Sequence, residues 1–168
     1  MFDPSGQRAI VTGAGSGLGR AVALGFDAYG VTVVVADIYR EAAEKVADVC
    51  TSGVAMGVTV TDDASLRPLW EGVSSEYGGY QTPCNLPVIN TRKAVVHLSF
   101  GEWQEIIRLN LDGMFQAAKT LGGPLADAGD RSVINMASVR GIDGGANQSA
   151  YSVTKGGVTQ LTKVLAAE

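Results

Sequence analysis

The sequence is poor in the residues that build staples and metal centres, with two cysteines, Cys50 and Cys84, and one histidine, His97. With no CxxC pair and no His/Cys cluster, neither a disulfide framework nor a metal site is expected. Charge is sparse too, at 18% of residues, and 13 Lys plus Arg against 17 Asp plus Glu leave a net charge of −4. No basic cluster is present, so nucleic acid is not an expected partner. The longest apolar runs, such as Val31 to Ala36, fall far below the ~20 residues of a membrane span. Met1 to Arg8 is mixed polar and lacks the apolar stretch of a secretory signal, so a cytoplasmic location is expected.

Glycine, by contrast, is abundant, at 22 of 168 residues against an average of ~7%. A chain that is 46% hydrophobic at this length can bury one core, so residues 1–168 are read as a single domain.

Short apolar runs alternate with helical periodicity. Arg8 to Thr12 reads as a strand, Arg20 to Tyr29 as a helix, and the β-branched run Val31 to Ala36 as a strand buried on both faces. Glu41 to Cys50 is helical and Val54 to Thr61 is a third strand. Asp62 or Asp63 is suited to cap the helix that carries Leu66, Leu69, Trp70 and Val73. A fourth strand is due between Gly78 and Phe100, with Asn85 to Asn90 as the candidate although it carries Pro87. Trp103 to Leu121 predicts a long helix, Arg131 to Ala137 a fifth strand, Gly141 to Gly145 a flexible loop and Tyr151 to Ala167 a final helix. This alternation implies right-handed crossovers and an α/β fold, a doubly wound, Rossmann-like parallel sheet in three layers. Trp70 and Trp103 read as core anchors, and His97 as a surface or partly buried structural residue.

The cluster TGAGSGLG, Thr12 to Gly19, lies between a strand and a helix, where backbone N–H groups and the helix dipole can meet a pyrophosphate. It is not GxGxxG, because Leu18 or Arg20 falls where the third glycine belongs, and no GK[ST] follows to make a P-loop. Taken alone, the cluster also admits a reading as a flexible loop, the lesser of the two. Asp37 ends the next strand, placed to accept hydrogen bonds from both hydroxyls of an adenosine ribose. Its charge would oppose a 2′-phosphate, which favours NAD over NADP; an isolated Asp there reads otherwise as a cap or a solvated strand end.

Tyr151 and Lys155 are four apart on a helix and share one face, so the ammonium stands a turn from the phenol. A positive charge there stabilises the phenolate and lets Tyr151 exchange a proton near neutral pH. Ser138 follows the fifth strand at the C-terminal edge of the sheet, where its hydroxyl can bond the same substrate oxygen.

Together, TGAGSGLG, Asp37, Asn110 in LNLDG, Ser138 in INMAS and YSVTK at Tyr151 to Lys155 resemble the short-chain dehydrogenase/reductase family from Arg8 to Glu168. The resemblance implies an NAD(P)-dependent oxidoreductase that moves hydride between nicotinamide and a secondary alcohol or ketone. Tyr151 would be the acid/base and Ser138 would hold the substrate oxygen. Lys155 would bind the nicotinamide ribose and lower the Tyr151 pKa, and Asn110 would hold a water linking Lys155 to solvent. Cofactor contacts are implied at Gly13, Ser16, Gly17, Leu18, Gly19, Asp37, Asn90, Tyr151 and Lys155. The helices at Trp103 to Leu121 and Tyr151 to Ala167 would meet a second subunit in a homodimer or homotetramer.

Two positions depart from the family pattern. INTR, Ile89 to Arg92, stands for the usual NNAG turn with only Asn90 matching, and Thr59 stands where an adenine-contacting Asp is common. Family members also continue into further strands, a PG-containing loop and a substrate lid, which residues 1–168 are expected to lack. The edge at Arg131 to Ala137 would then be exposed and the chain poorly soluble alone. A truncated or diverged, non-catalytic dinucleotide-binding chain is the alternative. An α/β methyltransferase would share the glycine loop but have no use for Ser138, Tyr151 and Lys155.

Overall fold

The computed structural model describes residues 3–125 and 132–168. Five parallel strands, β1 (Arg8–Thr12), β2 (Thr32–Asp37), β3 (Gly53–Gly57), β4 (Thr82–Asn85) and β5 (Ile134–Asn135), pair in the order β3-β2-β1-β4-β5. The helices are α1 (Gly17–Ala28), α2 (Arg40–Ala47), α3 (Asp63–Tyr77), α4 (Phe100–Ile107), α5 (Gly113–Gly122) and α6 (Ser149–Leu165). Side-chain alternation along the strands builds two apolar layers. Ala9, Val11, Val33 and Val35 pack with Ala23 of α1 and Ala43 and Val46 of α2. Ile10, Val34 and Ala36 pack on the other face with Leu66, Leu69 and Val73 of α3 and Ala117 and Leu121 of α5. Each fully buried Val, Ile or Leu side chain contributes about 1.5–3 kcal/mol of transfer free energy, which is what holds helices on both faces. The doubly wound sheet is therefore as expected, and its order reverses between β1 and β4, opening a crevice beyond their C-terminal ends.

Local chemistry sets the element ends. The Asp62 side chain caps α3 by accepting from the Ala64 amide at 3.0 Å. Ser99 and Glu102 form a reciprocal capping box at the start of α4, so the long helix begins at Phe100 rather than Trp103. A π-helical turn, Arg108–Asp112, joins α4 to α5. Strand β3 stops at Gly57, before the expected Thr61, because its partner β2 ends at Asp37, opposite Gly57.

The fourth strand lies at Thr82–Asn85, not Asn85–Asn90, and it contains a proline. The Leu86 amide donates to Thr12 of β1, and strand alternation then turns the Pro83 nitrogen toward β5, whose pairing covers only Cys84 and Asn85. A missing N–H costs little on that side. The fifth strand is two residues long, shorter than the expected Arg131 to Ala137; Arg131 lies outside the described residues. Trp70 packs against the α3–α5 layer as expected, whereas Trp103 is half-buried outside both apolar clusters. His97 is exposed.

A line of polar side chains crosses the sheet. The Thr12 hydroxyl donates to Asn85 Oδ1 at 3.3 Å, Asn85 Nδ2 to Asn135 Oδ1 at 2.9 Å, and Asn135 Nδ2 to the Thr162 hydroxyl on α6 at 3.1 Å.

Candidate active site

At the β1 end of the crevice the backbone is packed so closely that side chains are excluded. A Cβ on Gly13, whose φ is 69°, would lie 2.8 Å from the Pro87 nitrogen, and one on Gly19 would lie 2.0 Å from the Gly13 carbonyl oxygen. Gly17 opens α1 at φ 52° with open space where its Cβ would be. Ser16, the extended N-cap, makes no side-chain capping bond, so the first-turn N–H groups at Gly17, Leu18 and Gly19 keep their capacity for an anion. Asp37 folds back on this loop. Its Oδ2 accepts from the Gly15 amide at 2.9 Å and its Oδ1 from the Tyr39 amide at 3.0 Å. Each carboxylate oxygen retains a lone pair for a hydroxyl donor. This cradle of bare backbone, helix N-terminus and strand-end carboxylate fits a dinucleotide. Thr59 is half-buried, and its amide donates to the Ser65 hydroxyl at 2.9 Å.

Because β4 ends at Asn85, the residues that leave the strand are Leu86 to Val88, and Asn90 stands beyond them, exposed, on the Tyr151 side of the crevice. The residue at the strand end is Asn85, fully buried in the polar line described above. Sequence reading missed it because TPCN has no strand signature.

On the opposite side, Lys155 is 1% exposed. Its Nζ donates to the Met136 carbonyl at 2.6 Å and lies 6.0 Å from the centre of the Tyr151 ring. Burial disfavours the charged amine and pulls its pKa down to about 8. Two glycines bring Ser138 to this pair. The turn Val139–Gly141 lies against α6 where a Cβ on Gly141 would sit 2.5 Å from the Lys155 carbonyl carbon, and one on Gly156 3.1 Å from the Gly141 carbonyl oxygen. Ser138 caps that turn, its Oγ accepting from the Arg140 amide at 3.2 Å, which leaves its O–H to donate.

Asn110 is fully buried in the π-helical turn. Its Oδ1 accepts from the Ile89 amide at 2.9 Å, while its Nδ2 donates to the Ile89 carbonyl at 2.8 Å and approaches the Thr154 hydroxyl at 3.5 Å. The Thr154 hydroxyl in turn donates to the Tyr151 carbonyl at 2.8 Å, which puts Asn110 one step from the start of α6.

Ser138 and Tyr151 share a cleft of about 550 Å³ with Asn90, Arg92, Arg140 and Gln148, lined also by Gly144, Gly145 and Ala146. Arg140 and Gln148 carried no recognisable motif in the sequence and enter the site through folding alone. No group of three or more His, Cys, Asp or Glu suited to a metal occurs among the described residues, and no helix there is long and apolar enough to cross a membrane.

Comparison with known proteins shows the family. Residues 7–168 match the short chain dehydrogenase family model. The chain is 34% identical over 165 residues to cyclohexanol dehydrogenase of Acinetobacter sp. strain SE19, covering 95% of this chain and 66% of that protein. It is 30% identical to the 3-oxoacyl-[acyl-carrier-protein] reductase of Salmonella typhimurium, covering 97% and 67%. A solved short chain dehydrogenase from Mycobacterium avium superposes with a TM-score of 0.91 at 33% identity, over 99% of this chain and 65% of that one. A Brucella melitensis structure described as a ribose-5-phosphate isomerase gives the same TM-score, 0.91, at 36% identity, over 97% and 63%. The chain therefore spans about two thirds of the length of its relatives. On the family model and these identities together, the chain belongs to the short-chain dehydrogenase/reductase family.

Proposed function

We propose that the protein is an NAD-dependent oxidoreductase that interconverts a secondary alcohol and a ketone. The observation that carries this reading is the convergence of Ser138 and Tyr151 on one cleft with the Lys155 amine buried beside the Tyr151 ring. When bound, the nicotinamide ring supplies or takes the hydride. The Ser138 hydroxyl holds the substrate oxygen, and Tyr151 gives it a proton during reduction or removes one during oxidation. Lys155, protonated below about pH 8, sets positive charge where negative charge grows as the phenol loses its proton. Asn110 would hold a water that links Lys155 to solvent, and its side chain fixes the neighbouring Ile89 at both main-chain groups.

Gly13, Ser16, Gly17, Leu18 and Gly19 would hold the pyrophosphate and Asp37 the adenosine ribose, whose 2′ position the carboxylate keeps free of phosphate. Asn90 would reach the cofactor from the cleft side. The assembly would be a cytoplasmic homodimer or homotetramer, with Phe115 of α5 and Val153 of α6, both about half exposed, turned toward a second subunit.

The deciding experiment measures nicotinamide reduction by the full-length protein over an alcohol panel, beside Tyr151→Phe. Activity should fall roughly 10²- to 10⁴-fold in the variant; equal turnover removes Tyr151 from the mechanism. Titration by NADH fluorescence separates the non-catalytic alternative, which predicts binding without turnover.

A further inference from the structure

The cleft that holds Ser138 and Tyr151 carries two arginines, Arg92 and Arg140, and no carboxylate among its lining residues. They arrive from separate segments. Arg140 lies two residues after Ser138, and its side chain runs over Gly145, where a Cβ would meet its Cδ and Nε at 3.1 Å. Glycine at 145 is what lets the guanidinium stem lie flat against the cleft loop. Arg92 precedes Lys93, whose backbone bridges to Gln148 and whose amide donates to the Asn147 carbonyl at 3.1 Å. The segment bearing Arg92 is thereby tied to the same loop that Arg140 crosses.

The neighbouring charges leave both guanidinium groups to the cleft. Lys93 turns away to pair with Glu102, and Arg92 makes no ion pair among the described residues. Arg140 has one, Nη1 to Asp143 Oδ2 at 3.6 Å, and the Asp143 side chain is 75% exposed. A contact that long to a solvated partner holds the fork weakly and leaves its other donors for a planar oxyanion.

We propose that the substrate of this cleft carries an anionic oxygen group, a carboxylate or a phosphate ester, remote from the carbon that Tyr151 serves, and that Arg92 and Arg140 receive it. The proposal rests on the alcohol/ketone reading of Ser138 and Tyr151. Because the remote group keeps the same contacts in ground and transition states, the arginines act mainly on KM and leave kcat nearly unchanged.

The test uses the full-length protein with two matched pairs of ketones, acetoacetate against methyl acetoacetate and dihydroxyacetone phosphate against dihydroxyacetone. The parent is expected to favour the anionic member of at least one pair, and that pair separates a carboxylate source from a phosphate source. In R92Q/R140Q, kcat/KM for the anion should fall roughly 10- to 100-fold through KM, with the neutral partner unaffected. A parent that serves the neutral members as well, or a variant that loses both members alike, overturns the proposal.

A second measurement needs no turnover: calorimetric titration of the protein with succinate and with inorganic phosphate. Binding that disappears in R92Q/R140Q supports the assignment, and absent or unchanged binding overturns it. Arginine-dependent anion binding without reduction of any ketone would instead sink the oxidoreductase reading while keeping the anion site.

Discussion

Asn110 holds Ile89 at both of its main-chain groups, accepting from the amide at 2.9 Å and donating to the carbonyl at 2.8 Å. A buried side chain that mimics a strand neighbour in this way fixes the segment between β4 and α4, which among the described residues is otherwise tied by the Leu86 amide to Thr12 and by the bridge at Lys93. Replacing Asn110 with Leu leaves the two Ile89 groups unpaired, at a cost of about 2–3 kcal/mol. The denaturant midpoint should drop with an unchanged slope. Asn110→Asp should recover only part of this, because a carboxylate can accept from the amide but repels the carbonyl.

Gly141→Ala should be worse than Gly156→Ala. The first Cβ lands 2.5 Å from the backbone of Lys155, whereas the second meets the Gly141 oxygen at 3.1 Å, a few tenths of an ångström too close. Turnover measured for both variants should fall far more for Gly141→Ala, and NADH affinity should fall with it, because the displaced backbone carries Lys155, the expected contact of the nicotinamide ribose.

Within α1 two glycines make a matched contrast. Gly19→Ala drives a Cβ to 2.0 Å from the Gly13 oxygen, so both thermal stability and NADH binding should fall. Gly25 has open space around its Cβ position, and alanine there should raise stability by about 0.5–1 kcal/mol with NADH binding intact.

Burial of Lys155 gives a pH signature. Its folded value of about 8 lies below the ordinary 10.5, so the unfolded chain binds more protons between these values and stability rises with pH there. Below about pH 8 the native state bears the full cost of a buried ammonium, about 3 kcal/mol for a shift of that size. Lys155→Met, which removes that charge, should be more stable than the parent at pH 7, and the difference should close by about pH 10.5. A constant difference across this range would contradict the assignment.

The sequence was most readable where period and composition agree. Val31 to Ala36 has the pattern of a buried strand, found at Thr32–Asp37, and of the two candidate caps Asp62 and Asp63 the first is the one that caps the apolar helix. The fourth strand was not readable, because TPCN offers one proline and one buried amide, and its strand identity comes from pairing with β1 and from Asn85 bonding sideways to Thr12 and Asn135. Tyr151 and Lys155 are legible from their spacing of four, and Ser138 from its place after the fifth strand and the family resemblance. Arg140 is not, because its place beside Tyr151 depends on Gly141 and Gly145 letting two loops approach closely. The π-helical turn was likewise invisible, since the apolar pattern from Ile106 to Phe115 is compatible with an unbroken α-helix.

The amide and hydroxyl line from Thr12 to Thr162 spans the point where the strand order reverses. Valines and alanines tolerate a strand sliding along its neighbour, since one methyl resembles the next, but Asn85 in a shifted alignment would strand a buried dipole without a mate. Misaligned compact states are thereby penalised during assembly, and the two halves of the crevice reach their mutual alignment as part of folding rather than by later adjustment.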